Sequence, residues 1–584
     1  MSRQVTSRWE LTGVLVAQAA VHIGGLDAGP AQLVQARDGA GRPLLPGTAL
    51  AGVIRSALRG AGNPDSALWG LPSDSDGDGG QASWVRIDDA PALDSPHVEV
   101  RDHVSIDRFH GAAAKGHLFS REVLAAGTRF AFRMVVDAPA DGDAAAARTL
   151  VEAVAAQLRG PGIGVGAATT RGLGLVRLTD AVLRKSDLAT RAGMLAALRT
   201  GGEPVDLPTA DPDQVPAGVL RIVVPWRPHG PLAVQVSSDG DVVSAFPLTG
   251  RNKAGIHLEL PGSSIKGVLR SHAERITRTV TGKSASEDFL DQMRADGLGS
   301  VAALFGTAAA RDSSDRDLPT GRRGALQVAT CISRATLPAA QWDAVRLLQQ
   351  RLGDSAGGGG GAETGKKPDN RRSRRPKKHP QAAGSTTNAA SMDGAEQEVD
   401  VHRAALGRLQ LAVDELNRGV KGIKFMIAHH VAVDRWTGGA ADALLFATLE
   451  PHATDDKAGK ADKAWHPITL DLRVNELGPA PSEPGTESEQ DGQFAPPPEQ
   501  LAALALLLLV LRDLCDGWLG FGHGTTRGAG GVRVDADQVC FTAGSMTGWF
   551  SCLDGRSLAQ VLADQELTES LTTAWLATAE GAQV

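Results

Sequence analysis

Two places in the sequence combine a helix start with groups that suit a phosphate. Residues 45–59 (LPGTALAGVIRSALR) and 260–275 (LPGSSIKGVLRSHAER) place Pro-Gly and a hydroxyl residue before an apolar pattern of helical period, which predicts Thr48 and Ser263 as N-caps. Free backbone N–H groups at the positive end of a helix favour phosphate, although an ordinary capped core helix has the same pattern. The candidate phosphate-binding residues are Thr48, Arg55, Ser263, Ser264, Lys266 and Arg270.

Two glycine-rich turns, TTRGLG at 169–174 and TTRGAG at 525–530, provide a second set of candidates. Such a turn can wrap a phosphate in backbone amides while its arginine makes a bidentate contact, and a tight β-turn is the alternative. The glycines precede a strand and not a helix, so a dinucleotide-binding loop is excluded and no nucleotide cofactor is expected. The candidate residues are Thr169, Thr170, Arg171, Gly172, Thr525, Thr526, Arg527 and Gly528.

An Asp-Arg-aromatic triplet occurs in residues 103–119 (HVSIDRFHGAAAKGHLF) and again in residues 430–446 (HVAVDRWTGGAADALLF). An RNA-facing hairpin would use the aromatic residue for base stacking and the arginine for phosphate contacts. An Asp–Arg structural pair above a hairpin whose Phe119 and Phe446 enter the core explains the pattern equally well. The candidate residues are Asp107, Arg108, Phe109, Asp434, Arg435 and Trp436.

One carboxylate, Asp27 in the segment HIGGLD, lies where the first predicted strand gives way to a loop. It could bind a divalent metal, Mg²⁺ or Mn²⁺, or help to activate a ribose 2′-hydroxyl, and a simple turn residue is the alternative. The corresponding loop later in the chain leaves Asp239 and Asp241 as candidates.

The three paired segments occur in the same order, which shows an internal repeat. A shorter match, LWG at 68–70 and LFG at 304–306, falls between the first and second segments of both copies. We predict a first module at 1–205 (copy one), a linker at 206–215 and a second module at 216–584 (copy two). Copy two has an insertion within about 307–425, and its low-complexity part at about 355–400 is predicted to be disordered.

Within each copy the pattern predicts a strand, a capped helix, further strands, a second helix, the glycine-rich turn and a closing strand, which indicates an α+β fold. The second helices are predicted at 146–160 and 498–520. The apolar run 501–511 is too short to span a bilayer and is predicted to be a buried helix.

Composition limits the possible partners. The 584 residues carry a formal net charge of −7, so any RNA binding must be local. The four cysteines lack metal-ligand spacing, which argues against structural zinc and disulfides and favours a reducing compartment. We predict a cytoplasmic protein without membrane contact.

Taken in order and twice over, the PG[ST]xxxGVxRS, IDRF…LF and TTRGxG motifs resemble the RAMP superfamily, especially the backbone subunits of type III CRISPR effectors. Two modules in one chain resemble the two-module subunits of the type III-D-like branch. The resemblance implies two tandem ferredoxin-like, RRM-related modules, in which the IDRF and VDRW segments form thumb hairpins between guide and target. It also implies a catalytic Asp at the position of Asp27. Copy two lacks the GG-x-D pattern, so copy one is the module expected to cleave.

The leading expectation is therefore a backbone subunit that binds a guide RNA (crRNA) and a complementary target RNA beside other effector subunits. It would act as a metal-dependent endoribonuclease, with copy one the active module. The alternatives are a non-catalytic guide-RNA scaffold and a guide-RNA-processing endonuclease with a His-centred mechanism.

Overall fold

The computed structural model describes residues 4–25, 29, 31–60, 66–71, 80–139, 144–237, 242–294, 298–308, 321–356, 389–454, 464–478 and 496–581. Within these residues the fold is mixed α/β, and its strand pairs are antiparallel except for one parallel pair. No helix in the described part of the chain has the length and apolar character needed to cross a membrane.

The strands of copy one are β1 (Val5–Ala17), β2 (Leu44–Leu45), β3 (Val85–Ile87), β4 (Ala90–Pro91), β5 (Val98–Ile106), β6 (Ala113–Leu124), β7 (Arg129–Pro139), β8 (Ile163–Gly164), β9 (Leu175–Asp187) and β10 (Glu203–Val205). The strands of copy two are β11 (Val219–Val224), β12 (Trp226–His229), β13 (Gln235–Ser237), β14 (Ala245–Pro247), β15 (Thr249–Asn252), β16 (Gly255–Leu260), β17 (Gly306–Thr307), β18 (Arg322–Arg323), β19 (Leu326–Val328), β20 (Cys331–Ile332), β21 (Ile423–Val433), β22 (Ala440–Ala453), β23 (Ile468–Arg473), β24 (Gly531–Val534) and β25 (Cys540–Thr542). The helices are α1 (Gly47–Gly60), α2 (Ala144–Arg159), α3 (Arg191–Thr200), α4 (Gly262–Thr281), α5 (Phe289–Arg294), α6 (Gly299–Phe305), α7 (Ala339–Ala356), α8 (Ala389–Gly419), α9 (Pro498–Cys515), α10 (Leu558–Ala563) and α11 (Gln565–Gly581).

The central sheets of the two copies have the same topology. In copy one the order is β10-β9-β1-β7-β3, and in copy two it is β19-β23-β11-β25. Numbered by their sequence within each module and leaving the edge strand β10 aside, the strands run fourth, first, third, second. One helix follows the first strand (α1 or α4) and another precedes the fourth (α2 or α9). The repeat seen in the sequence is therefore a repeat of architecture.

Apolar periodicity builds the core of each copy. In copy one, Leu11 and Leu15 of β1 pack with Ile54 of α1 and Val154 of α2, and all four are fully buried. In copy two, α9 is buried along almost its whole length, which confirms the buried helix predicted over the apolar run. The helix predicted before the copy-one turn is α2.

The weak LWG/LFG match is a structural repeat as well. Gly70 has φ 79° and ψ 168°, and Gly306 has φ 85° and ψ 170°, a conformation that side chains rarely adopt. A Cβ would lie 2.5 Å from Gln81 O at Gly70 and 2.5 Å from Arg322 O at Gly306. Both glycines are thus required by the same close approach of a returning chain.

The chain forms two compact units, which do not follow the two copies. Unit one comprises Met1–Val234, Leu248–Thr336 and Asp455–Val584, and unit two comprises Gln235–Pro247 and Leu337–Thr454. Unit two contains the sheet β13-β14-β22-β21 with α7 and α8, and its core includes Trp342 and Phe425 with ring centroids 5.7 Å apart. The segment predicted to be disordered lies mostly outside the described residues, but its last part, from residue 389, belongs to α8.

Candidate nucleic-acid interface

The β5–β6 hairpin of copy one presents a mixed aromatic and cationic face. Strand register sets His103 opposite Phe119 and Arg101 opposite Arg121, so all four side chains share one face. The His103 and Phe119 rings stack with centroids 5.1 Å apart, and Arg121 Cζ lies 5.8 Å from the centroid of Phe119. On this face of the hairpin, the guanidinium of Arg121 lies over the ring of Phe119, next to the imidazole of His103.

Arg121 is a buried cation that has no acidic partner within the part of the chain that the structure describes. It is 6% exposed, and its Nε atom has no hydrogen-bond partner among the described residues. Its pKa is lowered, first by desolvation and then by the charge of Arg171. Arg101, directly opposite, has two carboxylates, Glu99 at 2.6 Å and Glu259 at 2.7 Å. The contrast identifies Arg121 as the member of the pair whose charge is uncompensated.

Two cations from other elements complete a group that we call the basic cluster: His103, Arg121, Arg171 and Lys266. Arg171 comes from the glycine-rich turn of copy one and is exposed, whereas Lys266 of α4 is buried and its Nζ donates to Leu326 O at 2.6 Å. The pKa of Lys266 is lowered to about 7, mainly by burial and then by Arg171, Arg270 and Arg323. Lys266 thus lies in a field of like charge.

The basic cluster is suited to an anion. The pKa of His103 is lowered to about 4 by desolvation and by Arg121, Arg171 and Arg101, and its Nε2 is buried without a partner among the described residues. Bound phosphate would supply the missing negative charge and accept hydrogen bonds from the guanidinium groups. Chemically, the site can hold a phosphodiester with an aromatic ring beside it.

The glycine-rich turns contribute an arginine, and some of their amides are bonded within the protein. Residues Thr169–Arg171 and Thr525–Arg527 each form one turn of 3₁₀ helix between residues of left-handed backbone, so the repeat extends to backbone torsions. In copy one the amides of Arg171 and Leu173 both donate to Ala168 O, and that of Gly174 donates to Ala20 O. Because these donors are already used within the protein, the predicted wrapping of a phosphate by them is not available.

The two turns have different surroundings. At Gly172, with φ 87°, a Cβ would lie 2.5 Å from Thr330 N, whereas at Gly528, with φ 85°, it would meet nothing within 4 Å. Thr525, Thr526, Arg527 and Gly528 are exposed, while Thr169 and Thr170 are half-buried.

The helix starts differ from the prediction. Pro46 O accepts the first helical bond of α1, and Pro261 is the N-cap of α4, so Thr48 and Ser263 are not N-caps. The reason is a close approach: a Cβ at Gly47 would lie 2.3 Å from Ile87 O, and one at Gly262 would lie 2.3 Å from Val328 O. Glycine therefore occupies the first helical position, which moves each hydroxyl residue into the first turn.

Carboxylate and hydroxyl groups already occupy the N-termini of these helices. The amide of Gly47 donates to Asp89 Oδ1 at 2.7 Å, and the amide of Gly262 faces Thr330 Oγ1 at 3.4 Å. Thr48 is exposed, and Ser263 and Ser264 are half-buried. The α1 start thus carries an acid at the position where a phosphate was expected.

Two arginines predicted to face RNA are engaged in ion pairs instead. Arg270 Nε lies 2.7 Å from Glu274 Oε1, and Arg108 Nε lies 3.3 Å from Glu274 Oε2. Arg55 is half-buried and has contacts of its own. Lys266 and Arg171 are therefore the predicted cations that the fold brings into the basic cluster.

The hairpin tips share one turn geometry. Asp107 Oδ1 accepts from the amides of Phe109 and His110, and Asp434 Oδ1 accepts from those of Trp436 and Thr437. Hydrogen bonds from Gln292 and from the His110 backbone hold the pKa of Asp107 well below its usual range. Each aspartate thus forms the turn without pairing with the adjacent arginine.

Aromatic side chains project from both tips. Phe109 is 46% exposed and Trp436 is 96% exposed, and Arg435 is exposed beside it. Phe119 is half-buried and Phe446 is 36% exposed, so neither enters the core. His430 and Phe446 repeat the stacked pair of copy one at 5.0 Å, but Thr448 occupies the position of Arg121.

The loop that contains Asp27 begins beside the basic cluster. His22 is 2% exposed and its Nδ1 lies 2.7 Å from the carbonyl oxygen of Glu122, which neighbours Arg121 on β6. At Gly25 a Cβ would lie 2.8 Å from Gln35 O, which explains the glycine at the base of this loop. Asp27, Asp239 and Asp241 themselves lie outside the described residues.

Arg121 and His103 were not among the predicted site residues. His103 begins the repeated segment 103–119 but was given no role there, and Arg121 lies just beyond that segment at a position where copy two has Thr448. Strand alternation from Phe119 would have placed Arg121 on the same face.

Two regions of the sequence are similar to a known protein family. The model of the RAMP superfamily matches residues 15–177 and 248–330, one region in each copy. No curated protein matches the chain. RAMP proteins generally bind crRNA and act in CRISPR effector complexes, so the matches suggest CRISPR-associated RNA binding. Together with the repeated topology, they show that both copies contain a region similar to the RAMP superfamily.

Proposed function

We propose that this chain is a backbone subunit of a type III CRISPR effector, in which the basic cluster holds the phosphate backbone of a guide RNA. The observation that carries the proposal is Arg121, a buried guanidinium that has cationic neighbours and no carboxylate in contact among the described residues. A buried charge of this kind is costly unless a partner compensates it, and a nucleic-acid phosphate is such a partner.

Topology and hairpins support the finer assignment. The strand order fourth, first, third, second, with a helix after the first strand and another before the fourth, occurs in both copies and supports the proposed ferredoxin-like modules. The β5–β6 and β21–β22 hairpins present Phe109 and Trp436 at their tips, as thumbs that stack on bases would. Under the proposal, a complementary target RNA pairs with the guide, and other effector subunits continue the assembly.

We further propose that copy one cleaves the target RNA and that Asp27 acts on the attacking 2′-hydroxyl. Its loop begins beside the basic cluster, where a phosphodiester would be held. At the described base of that loop, the carboxylate of Glu122 accepts from the Gln35 amide at 3.0 Å and lies 3.5 Å from Arg37 Nη2, and no group of three or more potential ligands occurs among the described residues. These residues do not form a metal site, so no step here runs through a metal ion.

Guide binding is tested by copurification. The tagged chain is expressed with a CRISPR array and its partner subunits, and the RNA bound to the purified complex is sized and quantified. We expect small RNA of uniform length, reduced by about tenfold or more in Arg121→Gln because a charge-assisted hydrogen-bond set is lost. Arg148→Gln is the matched control, since Arg148 pairs with Glu152 on the exposed side of α2. Equal RNA in both variants would reject the basic cluster as the guide site.

Cleavage is tested separately on the assembled complex with labelled target RNA. Asp27→Ala should abolish the product opposite copy one while RNA content stays at the wild-type level. Cleavage that persists would refute the role of Asp27, and a wild-type complex that retains guide and target but gives no product would establish the scaffold alternative. Specific cutting of unprocessed repeat RNA by the isolated chain would instead favour a guide-processing enzyme.

A further inference from the structure

His22 of copy one is held at two points, one on its backbone and one on its ring. Its backbone oxygen accepts from the amide of Ala167, just before the glycine-rich turn, at 2.9 Å. Its ring nitrogen Nδ1 lies 2.7 Å from the backbone oxygen of Glu122 on β6. The turn carries Arg171, and Arg121 precedes Glu122. The imidazole is therefore fixed to both chain segments that bring arginines to the basic cluster.

The bond to Glu122 determines which ring nitrogen of His22 is free. A backbone oxygen only accepts, so Nδ1 carries a proton and donates it. Burial lowers the pKa of His22, and the charge of Arg121 lowers it further, so the ring is neutral at neutral pH. A neutral imidazole that is protonated on Nδ1 has an unshared electron pair on Nε2. This nitrogen can only accept a hydrogen bond, and among the described residues the ring is bonded through Nδ1 alone.

The space beside Nε2 of His22 is open. A Cβ at Gly24 would lie 4.0 Å from Nε2 and, apart from its chain neighbours, would meet no other atom of the described residues within 4 Å. Gly24 is exposed, although His22 as a whole is 2% exposed. A donor group on a ligand can therefore approach Nε2 from the surface at Gly24.

Copy two keeps the backbone contact of this site but lacks the ring. The amide of His523 donates to the backbone oxygen of Ala233 at 2.9 Å, as the amide of Ala167 does to that of His22. A second pair of bonds is repeated in the same way: Gly530 N to Pro231 O and Gly174 N to Ala20 O. Ala233 is thus equivalent to His22. The repeated backbone arrangement does not require an imidazole, so the ring of His22 is free to serve another purpose.

A fixed acceptor beside a phosphate site matches the sugar of RNA. Each ribose carries a 2′-hydroxyl donor next to a phosphate, and DNA lacks it. We propose that Nε2 of His22 accepts a hydrogen bond from the 2′-hydroxyl of the nucleotide whose phosphate lies in the basic cluster, so that copy one selects RNA over DNA. The inference rests on the proposed function, because it requires a nucleic acid in the basic cluster, and it assigns His22 no part in cleavage.

The test compares RNA with DNA of the same base sequence. The nuclease-treated full chain is titrated with labelled single strands of about 12 nucleotides, and Kd values are measured by fluorescence anisotropy. His22→Asn keeps a donor for the backbone oxygen of Glu122, but its side chain ends short of the position of Nε2. We expect His22→Asn to weaken RNA binding about two- to tenfold, the loss of one neutral hydrogen bond, and to leave DNA binding within about twofold.

Two controls make this comparison specific to the 2′-hydroxyl. A strand with 2′-fluoro groups keeps the sugar pucker of RNA but cannot donate, so its Kd should not respond to His22→Asn. His97→Asn is the matched protein control, because the His97 side chain is 54% exposed, and it should change neither the RNA nor the DNA affinity. If His22→Asn weakens RNA and DNA equally, or weakens neither, the inference is wrong. Equal weakening would assign the ring to packing or to a base, whose amino groups occur in both nucleic acids.

Arg121→Gln separates this inference from the proposed function. It should weaken RNA and DNA alike, because both carry phosphates. If it does so while wild type binds RNA and DNA with equal affinity, the basic cluster stands and the role of His22 is refuted without any change at His22. If Arg121→Gln affects neither nucleic acid, the basic cluster is not the phosphate site and both proposals fail. His22→Ala, with the residue that copy two has at this position, replaces His22→Asn if the latter does not fold.

Discussion

Arg121 and Arg101 lie opposite each other on one face of a hairpin, yet their charges are balanced in different ways. Arg101 is held by Glu99 and Glu259, whereas Arg121 lies over Phe119 and near other cations. Arg101 therefore stabilises the folded chain itself. Burial of the unpaired Arg121 charge costs free energy, which is offset when an anion binds.

This contrast predicts opposite effects on stability. Arg121→Gln should leave the free energy of unfolding of the RNA-free chain within about 1 kcal/mol of wild type, because a weak cation–π contact is exchanged for relief of an unpaired charge. Arg101→Gln should lower it by about 3–5 kcal/mol, because the buried carboxylate of Glu259 and the half-buried one of Glu99 lose this partner. Urea denaturation of both variants measures the difference. A large loss for Arg121→Gln would assign that residue a structural role.

The lowered pKa of Lys266 predicts a pH dependence of RNA binding. The free chain loses the Lys266 proton near pH 7, and a bound phosphate raises that pKa, so RNA binding takes up a proton above this pH. The affinity for RNA should therefore fall as the pH rises, by at most about tenfold per pH unit. The fall begins near pH 7 and ends at the pKa that Lys266 has in the RNA complex. Kd values measured at constant salt from pH 6.5 to 8.5, against Lys266→Gln, check this. If the Kd of Lys266→Gln depends on pH as strongly as the Kd of wild type, Lys266 is not the group that takes up the proton.

At the scale of elements, the repeat provides its own controls. The turns at Thr169–Arg171 and Thr525–Arg527 share backbone torsions but not neighbours, so equal substitutions separate torsional strain from steric conflict.

Gly172→Ala and Gly528→Ala form such a pair. Both place a side chain at positive φ, which costs about 1–2 kcal/mol. Gly172→Ala additionally forces a Cβ toward Thr330 N, which adds about 1–3 kcal/mol. We expect Gly172→Ala to lower the free energy of unfolding, measured by urea denaturation, by more than Gly528→Ala does. Gly172→Ala should also speed hydrogen exchange of the peptide that contains Thr330. Equal losses would mean that Thr330 moves aside without cost.

Elements were predictable from the sequence where periodicity and repetition agreed. The helices α2 and α9 and the repeated turns follow from local patterns, because apolar spacing and glycine torsions are local properties. The N-caps were predicted wrongly because the approach of the Ile87 and Val328 carbonyls, which requires glycine, is a tertiary event. Arg121 was missed for a similar reason: its importance comes from missing counter-ions, which only packing reveals.

At the scale of the whole molecule, the Arg108–Glu274 pair ties copy one to copy two. Arg108→Ala should lower the free energy of unfolding by about 1–3 kcal/mol. The loss is smaller than for an isolated buried pair because Arg270 still neutralises Glu274. Arg435→Ala, the equivalent change at an exposed site, should stay within about 0.5 kcal/mol of wild type. A double-mutant cycle with Glu274→Ala isolates the pair. A coupling energy near zero would exclude it as a link between the copies.

The contact between the copies also has a sense of direction. It runs from the turn of copy one to the helix start of copy two, and the residues on its two sides are not interchangeable. A nucleic-acid strand is likewise polar, with distinct 5′ and 3′ ends. We therefore expect a guide bound at the basic cluster to be held with one fixed polarity, which crosslinks from the β5–β6 hairpin to an end-labelled RNA would reveal.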